Sequence, residues 1–417
     1  MQLTFPSDFN QVMMTNHDKK NGSELEETSE LVKLVFNHGN DLSKETALQL
    51  CSDHLEGEWS HLSIQDIDVS VIQGGFVNRI FLIRNIKSDE KVLIRLYGGK
   101  LVSKNALSDL GIEAEVLMYQ LISEVNVGPK ILGIFEGGRI EEYLEGSDIL
   151  SETDIQDKET MACLARQQAR LHSLTVPMTK KPKDMIRIIR EKFKKHWSSY
   201  VKGINETPLP EGYPEEVKKL IEKTKTYDFM ATIDWFADLI PTVKHRVVFS
   251  HNDTNRGNYL IVPSRTTDDK VILCDFEFSG YNYRGSDIGG HFRARTQDLK
   301  KFTSYVGNKD KVPEFNHIPY PTEQERRVFI KEYLKKWKEL NPAKFDPELD
   351  SEENILLEAE VFNGTTGLYF MACLFFEEDN FFKKLFKMHP GLLMAGIIKD
   401  LEERKQRITD LRSRYSV

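Results

Sequence analysis

Three short β-type runs, RVVFSHND, GNYLIV and KVILCDFEF, interrupt a C-terminal stretch whose apolar spacing is otherwise helical, and they carry nearly all of its unusual polar residues. Polar side chains at the ends of buried strands point to a site. The first run leads into HNDTNRGN, His251 to Asn258, and the third ends in DFE, which begins at Asp275. An attacking hydroxyl needs a carboxylate within hydrogen-bond reach, for which Asp253 is the candidate. Mg²⁺ needs a few hard oxygen ligands while keeping waters and phosphate oxygens, and Asn258 with Asp275 would supply them. Phosphoryl transfer asks a protein for little beyond such positioning and charge neutralisation. Singly, HND fits an Asx turn and DFE a strand that ends at a helix cap. Their joint occurrence at this distance points to a kinase-like site.

The preceding part of the chain reads as a second lobe. IDVSVI, RIFLIR and KVLIRLY, separated by QGGFVN and NIKSDE, predict a three-strand antiparallel meander. A helix follows in NALSDLGIEAEVLMYQLISE, expected to lay Leu110, Ala114, Leu117, Met118 and Leu121 on the meander, and KILGIF and RIEEYLEG read as two more strands. The glycines of QGGFVN serve either as a plain hairpin turn or as backbone that approaches phosphates. Arg95 stands on the third strand where a kinase keeps its phosphate-binding cation, and Glu115 on the next helix is expected to hold it by an ion pair.

Helical spacing recurs at 155–174, 185–200, 213–239, 323–340 and 354–378. The fold class is therefore α+β and bilobal, protein-kinase-like: an N-terminal five-stranded antiparallel sheet with one helix, then a larger, mainly helical C-terminal lobe. The expected divisions are a polar, mobile arm at 1–30, an ATP-binding lobe at 31–145, and a catalytic and acceptor lobe at 146–417. A formal charge of −8 argues against nucleic acid as a partner. Four scattered cysteines without a CxxC pair argue against a zinc site or disulfide framework. With neither a signal-peptide pattern nor a long uncharged apolar run, no membrane span is expected and the cytoplasm is the expected compartment.

FSHNDTNRGNYL, ILCDFEFSGYNYRGSDIGGHF, GGFVNRIF, VLIRLYG and GPKILGIFEGGRIEEYLEG together resemble the choline and ethanolamine kinase family, grouped with the aminoglycoside phosphotransferases in the kinase-like fold. The resemblance implies ATP and Mg²⁺ as cofactors, a small amino alcohol as acceptor, a first step of phospholipid head-group synthesis, and a homodimer. It casts Asp253 as catalytic base, Asn258 and Asp275 as Mg²⁺ ligands, and Glu277 as reaching a second Mg²⁺. It casts Gly74, Gly75, Phe76, Val77 and Asn78 as the phosphate loop, Arg95 and Glu115 as the phosphate contact and its partner, and Glu142, Tyr143 and Leu144 as the adenine-holding hinge. His251, Tyr283, Arg284 and Asp287 would brace the site.

Beyond His291 the chain departs from the family: HFRAR stands where HFxEW is usual, so Ala294 and Arg295 replace an acidic residue and a tryptophan, and Phe278 replaces a common tyrosine. Around 354–378 the family's pocket tryptophans are absent; Thr366 and Tyr369 are the nearest match, and Tyr369, Phe370, Phe375, Phe376 and Glu377 fit either a cation cage or core. A protein kinase is disfavoured, because HND replaces HRD, DFE replaces DFG, Arg95 replaces a lysine and no APE follows. Two other readings remain: a same-fold kinase of a different amino alcohol, and a catalytically inactive nucleotide-binding regulator, against which the complete set of Asp253, Asn258 and Asp275 argues.

Overall fold

Alternation of apolar residues along the third strand decides the architecture of the N-terminal half. Val92, Ile94 and Leu96 point to one face and are buried, while Lys91, Leu93 and Arg95 point to the other and are half-buried. The computed structural model describes residues 42–72, 79–97, 112–208, 215–266, 269–296, 319–376 and 389–415. The expected N-terminal arm, Gly74, Gly75, Phe76, Val77, Asn78 and Glu377 lie outside the described residues, as does the side chain of Phe375. The chain divides into two compact units between Glu145 and Gly146.

In the first unit, α1 (Lys44–His54) precedes β1 (Ile67–Ile72), β2 (Arg79–Asn85) and β3 (Lys91–Leu96); α2 (Ile112–Glu124) precedes β4 (Ile131–Phe135) and β5 (Gly138–Glu142). The five strands form one antiparallel sheet in the order β1-β2-β3-β5-β4. Sequence periodicity missed α1, which begins at Ser43, whose hydroxyl accepts from the Thr46 N–H. Its Ala47, Leu50 and Cys51 join Trp59, Phe81, Ile83, Val92, Ile94 and Ile140 in one apolar core.

On α2 Met118 is buried as expected and Leu121 half-buried, but Leu117 is exposed and Tyr119 and Ile122 are buried in addition; Leu110 and the side chain of Ala114 lie outside the described residues. The stripe continues to Glu115, one turn before Met118 and Tyr119, because the sheet face it meets carries charge as well as apolar groups.

The second unit has eight helices among the described residues: α3 (Lys158–Ser173), α4 (Met185–Glu206), α5 (Glu215–Thr226), α6 (Phe229–Leu239), α7 (Arg284–Ala294), α8 (Glu323–Leu340), α9 (Glu352–Phe375) and α10 (Pro390–Tyr415). The stretch 213–239, read as one helix, is two, since the Asp228 carboxylate accepts from the Ala231 N–H and starts a new helix there. The last helix, α10, was not anticipated. Short strands sit among the helices: β6 (Asp148–Ile149), β8 (Tyr259–Ile261) and β9 (Val271–Leu273) form one antiparallel sheet, and β7 (Val247–Ser250) pairs with β10 (Gly280–Tyr283). Among the described residues no helix is long and apolar enough to cross a membrane.

Gly285 and Gly289, one turn apart on α7, let that helix lie directly on α9. A Cβ at Gly285 would stand 2.3 Å from the Glu358 carbonyl oxygen and one at Gly289 2.1 Å from that of Ala359. Both obstacles are backbone, so they cannot rotate aside. Gly289→Ala is expected to destabilise the protein by about 1–3 kcal/mol through overpacking, read as a lowered urea midpoint.

Candidate active site

The loop after β7 is held chiefly by backbone hydrogen bonds to one buried carboxylate. The N–H groups of His251 and Asn252 donate to Asp287 Oδ2 and Oδ1 at 2.7 and 2.9 Å, and His172 Nε2 on α3 lies 3.2 Å from Oδ2. Burial works to raise the Asp287 pKa; the contacts with His172 and His251 outweigh it and hold the carboxyl below its ordinary range. His172 Nδ1 is in turn 3.0 Å from the Tyr333 hydroxyl of α8.

Asn252 adopts a left-handed backbone with φ 66° and ties the loop to the segment after β9. Its Nδ2 donates to the carbonyls of Phe278 and Gly280, and its Oδ1 accepts from Asn282 Nδ2. His251 crosses the same gap: its Nδ1 accepts from the Asp253 N–H at 3.3 Å, and its Nε2 donates to the Cys274 carbonyl at 3.0 Å. Those two bonds define the neutral tautomer with hydrogen on Nε2.

Asp253 is gripped by two amides. Asn255 Nδ2 donates to Oδ1 at 2.9 Å, and Asn258 Nδ2 donates to Oδ2 and to the Asp253 carbonyl at 3.0 Å each. With its nitrogen so engaged, Asn258 turns its Oδ1 away from Asp253. The Cys274 N–H donates to the Asn258 carbonyl at 3.0 Å, which sets Asp275 beside Asn258. Asp275 has φ 66°, a left-handed conformation tolerated best by Gly, Asn and Asp and concentrated at functional sites. Glu277 follows, half-buried. The fold therefore joins Asn258 to Asp253 by side-chain bonds and to the residue preceding Asp275 through the backbone.

Arg284 opens α7 with a buried guanidinium bound to Glu358 through Nε and Nη2 at 3.0 and 2.6 Å and to Asp350 through Nη1 at 2.6 Å. Tyr283 stacks on Phe362 with ring centroids 4.3 Å apart. Several residues read as possible cage members belong to the interior. Tyr369 and Phe376 are buried, Phe376 packs against Phe193, and the Thr366 hydroxyl bonds Ser286 and the Phe362 carbonyl. Phe370 is half-exposed, edge-on to Phe278 at 6.3 Å. Ala294 is buried and Arg295 pairs with Glu325.

In the first unit, Arg95 is not paired with Glu115. Its Nε and Nη2 donate to Glu141 Oε1 and Oε2 at 2.9 and 3.3 Å, while Glu115 lies 3.4 Å from Arg139 Nη1. The reason is proximity within the sheet: β5 neighbours β3 and presents Glu141 on the face that carries Arg95. Glu142 closes β5, exchanging bonds with the Lys130 backbone; Leu144 is buried, and the Lys91 ammonium lies over the Tyr143 ring at 5.7 Å. Arg139, Glu141, Asn255 and His172 were not singled out from sequence. Asn255 lay within the quoted HNDTNRGN, whereas nothing local marks His172, which meets Asp287 across 115 residues.

The fold belongs to the kinase-like class. Solved structures that align with it include a choline kinase from Cryptosporidium parvum (TM-score 0.57, 19% identity, 89% of this chain and 97% of that one) and an ethanolamine kinase from Plasmodium vivax (TM-score 0.55, 19% identity, 91% and 95%). The family model for choline/ethanolamine kinase matches residues 69–378. A choline/ethanolamine kinase of Mus musculus is 30% identical over 297 residues, covering 69% of this chain and 68% of its own length, and one of Rattus norvegicus is 29% identical over 321 residues, covering 75% and 74%. The chain belongs to the choline/ethanolamine kinase family.

Burial works to raise the Glu141 pKa, but the Arg95 and Arg139 guanidinium groups outweigh it and lower it from 4.5 to about 2. A depressed folded-state pKa gives stability that is present above the unfolded value and lost as pH falls through the folded one. Acid titration of thermal stability should therefore show a loss between about pH 4.5 and 2 that is diminished in Glu141→Gln.

Proposed function

We propose that this protein is an Mg-ATP-dependent kinase that phosphorylates the hydroxyl of choline or ethanolamine. The observation that carries the reading is the Asp253 carboxylate, fixed on both oxygens by Asn255 and Asn258 in a loop anchored to Asp287. A carboxylate so oriented can accept a proton without first reorganising.

The residues present fit a hard cation. Asn258 offers its amide Oδ1, and Asp275 and Glu277 add carboxylate oxygens, a donor set suited to Mg²⁺. Among the described residues no group of three or more His, Cys, Asp or Glu is arranged to hold a metal ion, so the remaining ligands would be water and phosphate oxygens. When bound, Mg²⁺ neutralises charge on the nucleotide phosphates.

In the reaction, Asp253 takes the proton as the acceptor O–H bond breaks. The acceptor oxygen bonds the γ-phosphorus, and the bond from that phosphorus to the β-phosphate oxygen breaks, so ADP leaves with the electron pair. In the first unit Arg95 would hold a nucleotide phosphate, and the backbone of Glu142, Tyr143 and Leu144 would hold adenine. None of Cys51, Cys163, Cys274 and Cys373, all buried or half-buried, is joined in a disulfide, which suits a reducing compartment, the cytoplasm.

A different amino alcohol is the second reading. It is favoured by Arg293, whose Nη1 would be 3.1 Å from a Cβ at Gly367, bringing a cation to the segment where the family resemblance leads one to expect aromatic residues.

Purified protein with Mg-ATP should release ADP with choline or ethanolamine at millimolar concentration. Release only with another amine in a panel selects the second reading, and none with any amine overturns kinase activity. Asp253→Ala should abolish turnover while calorimetry still detects ATP binding; retained turnover removes Asp253 as the base.

A further inference from the structure

Arg95 and Arg139 stand directly opposite each other on β3 and β5, an arrangement that like charges disfavour. Glu141, two residues along β5 on the same face, resolves it. Its Oε1 accepts from Arg139 Nε at 2.6 Å and from Arg95 Nε at 2.9 Å, and its Oε2 accepts from Arg95 Nη2 at 3.3 Å. Arg139 and Glu141 are almost inaccessible, with side chains 1% and 3% exposed, against 13% for Arg95.

Arg139 is fixed independently of Arg95. Its guanidinium lies 3.6 Å from the centre of the Tyr119 ring on α2, Nη1 donates to the Tyr97 hydroxyl at 3.3 Å, and Glu115 stands 3.4 Å away. The result is an alternating chain of charge, Glu115–Arg139–Glu141–Arg95, in which both arginines keep one nitrogen unbonded, Nη2 of Arg139 being buried. Among the described residues Arg95 Nη1 makes no hydrogen bond, and unlike Arg139 Nη2 it is not sealed from solvent.

We infer that Glu141 and Arg139 are positioning residues for nucleotide binding, holding the Arg95 guanidinium by two of its nitrogens so that Nη1 is presented to a phosphate oxygen. This rests on the kinase reading above. Support for the phosphate contact then lies within the sheet. Among the described residues Glu115 reaches Arg95 through two intermediates, Arg139 and Glu141, and is therefore the minor member of the chain.

The test compares Glu141→Gln, Glu141→Asp and Glu115→Gln in the full chain, with thermal midpoints to confirm folding. Glu141→Asp keeps the buried charge while withdrawing the oxygens by one methylene, so it reports on positioning even if Glu141→Gln fails to fold. Both Glu141 variants are expected to raise the KM for ATP about tenfold or more, with the KM for the amine essentially unchanged. Glu115→Gln should change the ATP KM by less than about threefold. Folded Glu141 variants with wild-type ATP KM, or a Glu115→Gln effect equal to theirs, would overturn the inference. Direct calorimetry of Mg-ATP with the wild-type chain separates the two levels: absence of binding there defeats the kinase reading and this inference with it.

Discussion

One buried carboxylate organises the second unit. Asp287, 1% exposed, spends both oxygens on the backbone N–H groups of His251 and Asn252. Each bond alone is a modest contribution of about 1.5–3 kcal/mol; their value is that they fix backbone rather than side chains, so every residue of the following loop inherits the geometry. Asp287 can do this because α7 is itself immobilised. Arg284 binds α7 to Glu358 on α9 and to Asp350, and Gly285 and Gly289 bring the two helix backbones into contact. A charged anchor, a glycine seam and a two-oxygen acceptor thus occupy six consecutive residues.

From that anchor the arrangement spreads through neutral groups. His251 links the loop to Cys274, Asn252 links it to Phe278 and Gly280, and the Asn258 carbonyl accepts from Cys274. The base candidate and the metal-ligand candidates are therefore parts of one hydrogen-bonded fabric, in which a displacement of either strand end is felt by the other. Asn252 and Asp275 both hold positive φ, a strain of order 1 kcal/mol or more per residue that this fabric sustains.

The first unit solves a different problem with alternation. One face of its sheet is apolar and packs on α1; the other carries a buried chain of opposite charges toward α2. Buried ion pairs give little net stability but are costly to break singly, so they specify geometry more than they strengthen it.

How much of this was legible in the sequence depended on the range of each interaction. HNDTNRGN and DFE could be read because loop and strand end are close in the chain and the chemistry restricts the residue types. The five strands could be read because turn residues and β-branched runs are local signals. On α2 Met118 was legible, but Leu117 was misplaced because periodicity assumes an apolar partner, and α2 meets charge. Arg95 was matched to Glu115 rather than Glu141 because strand adjacency decides the partner, and β5 comes 42 residues after β3. Tyr369 and Phe376 could not be divided between cage and core by spacing, since only burial separates the two. The sequence by itself determined which chemical groups the protein owns and which segments form most of its strands and helices, because those depend on neighbours a few residues away. Which carboxylate holds which cation, and which aromatic ring faces outward, was decided only by tertiary structure, because those choices depend on distances in space that chain order does not encode.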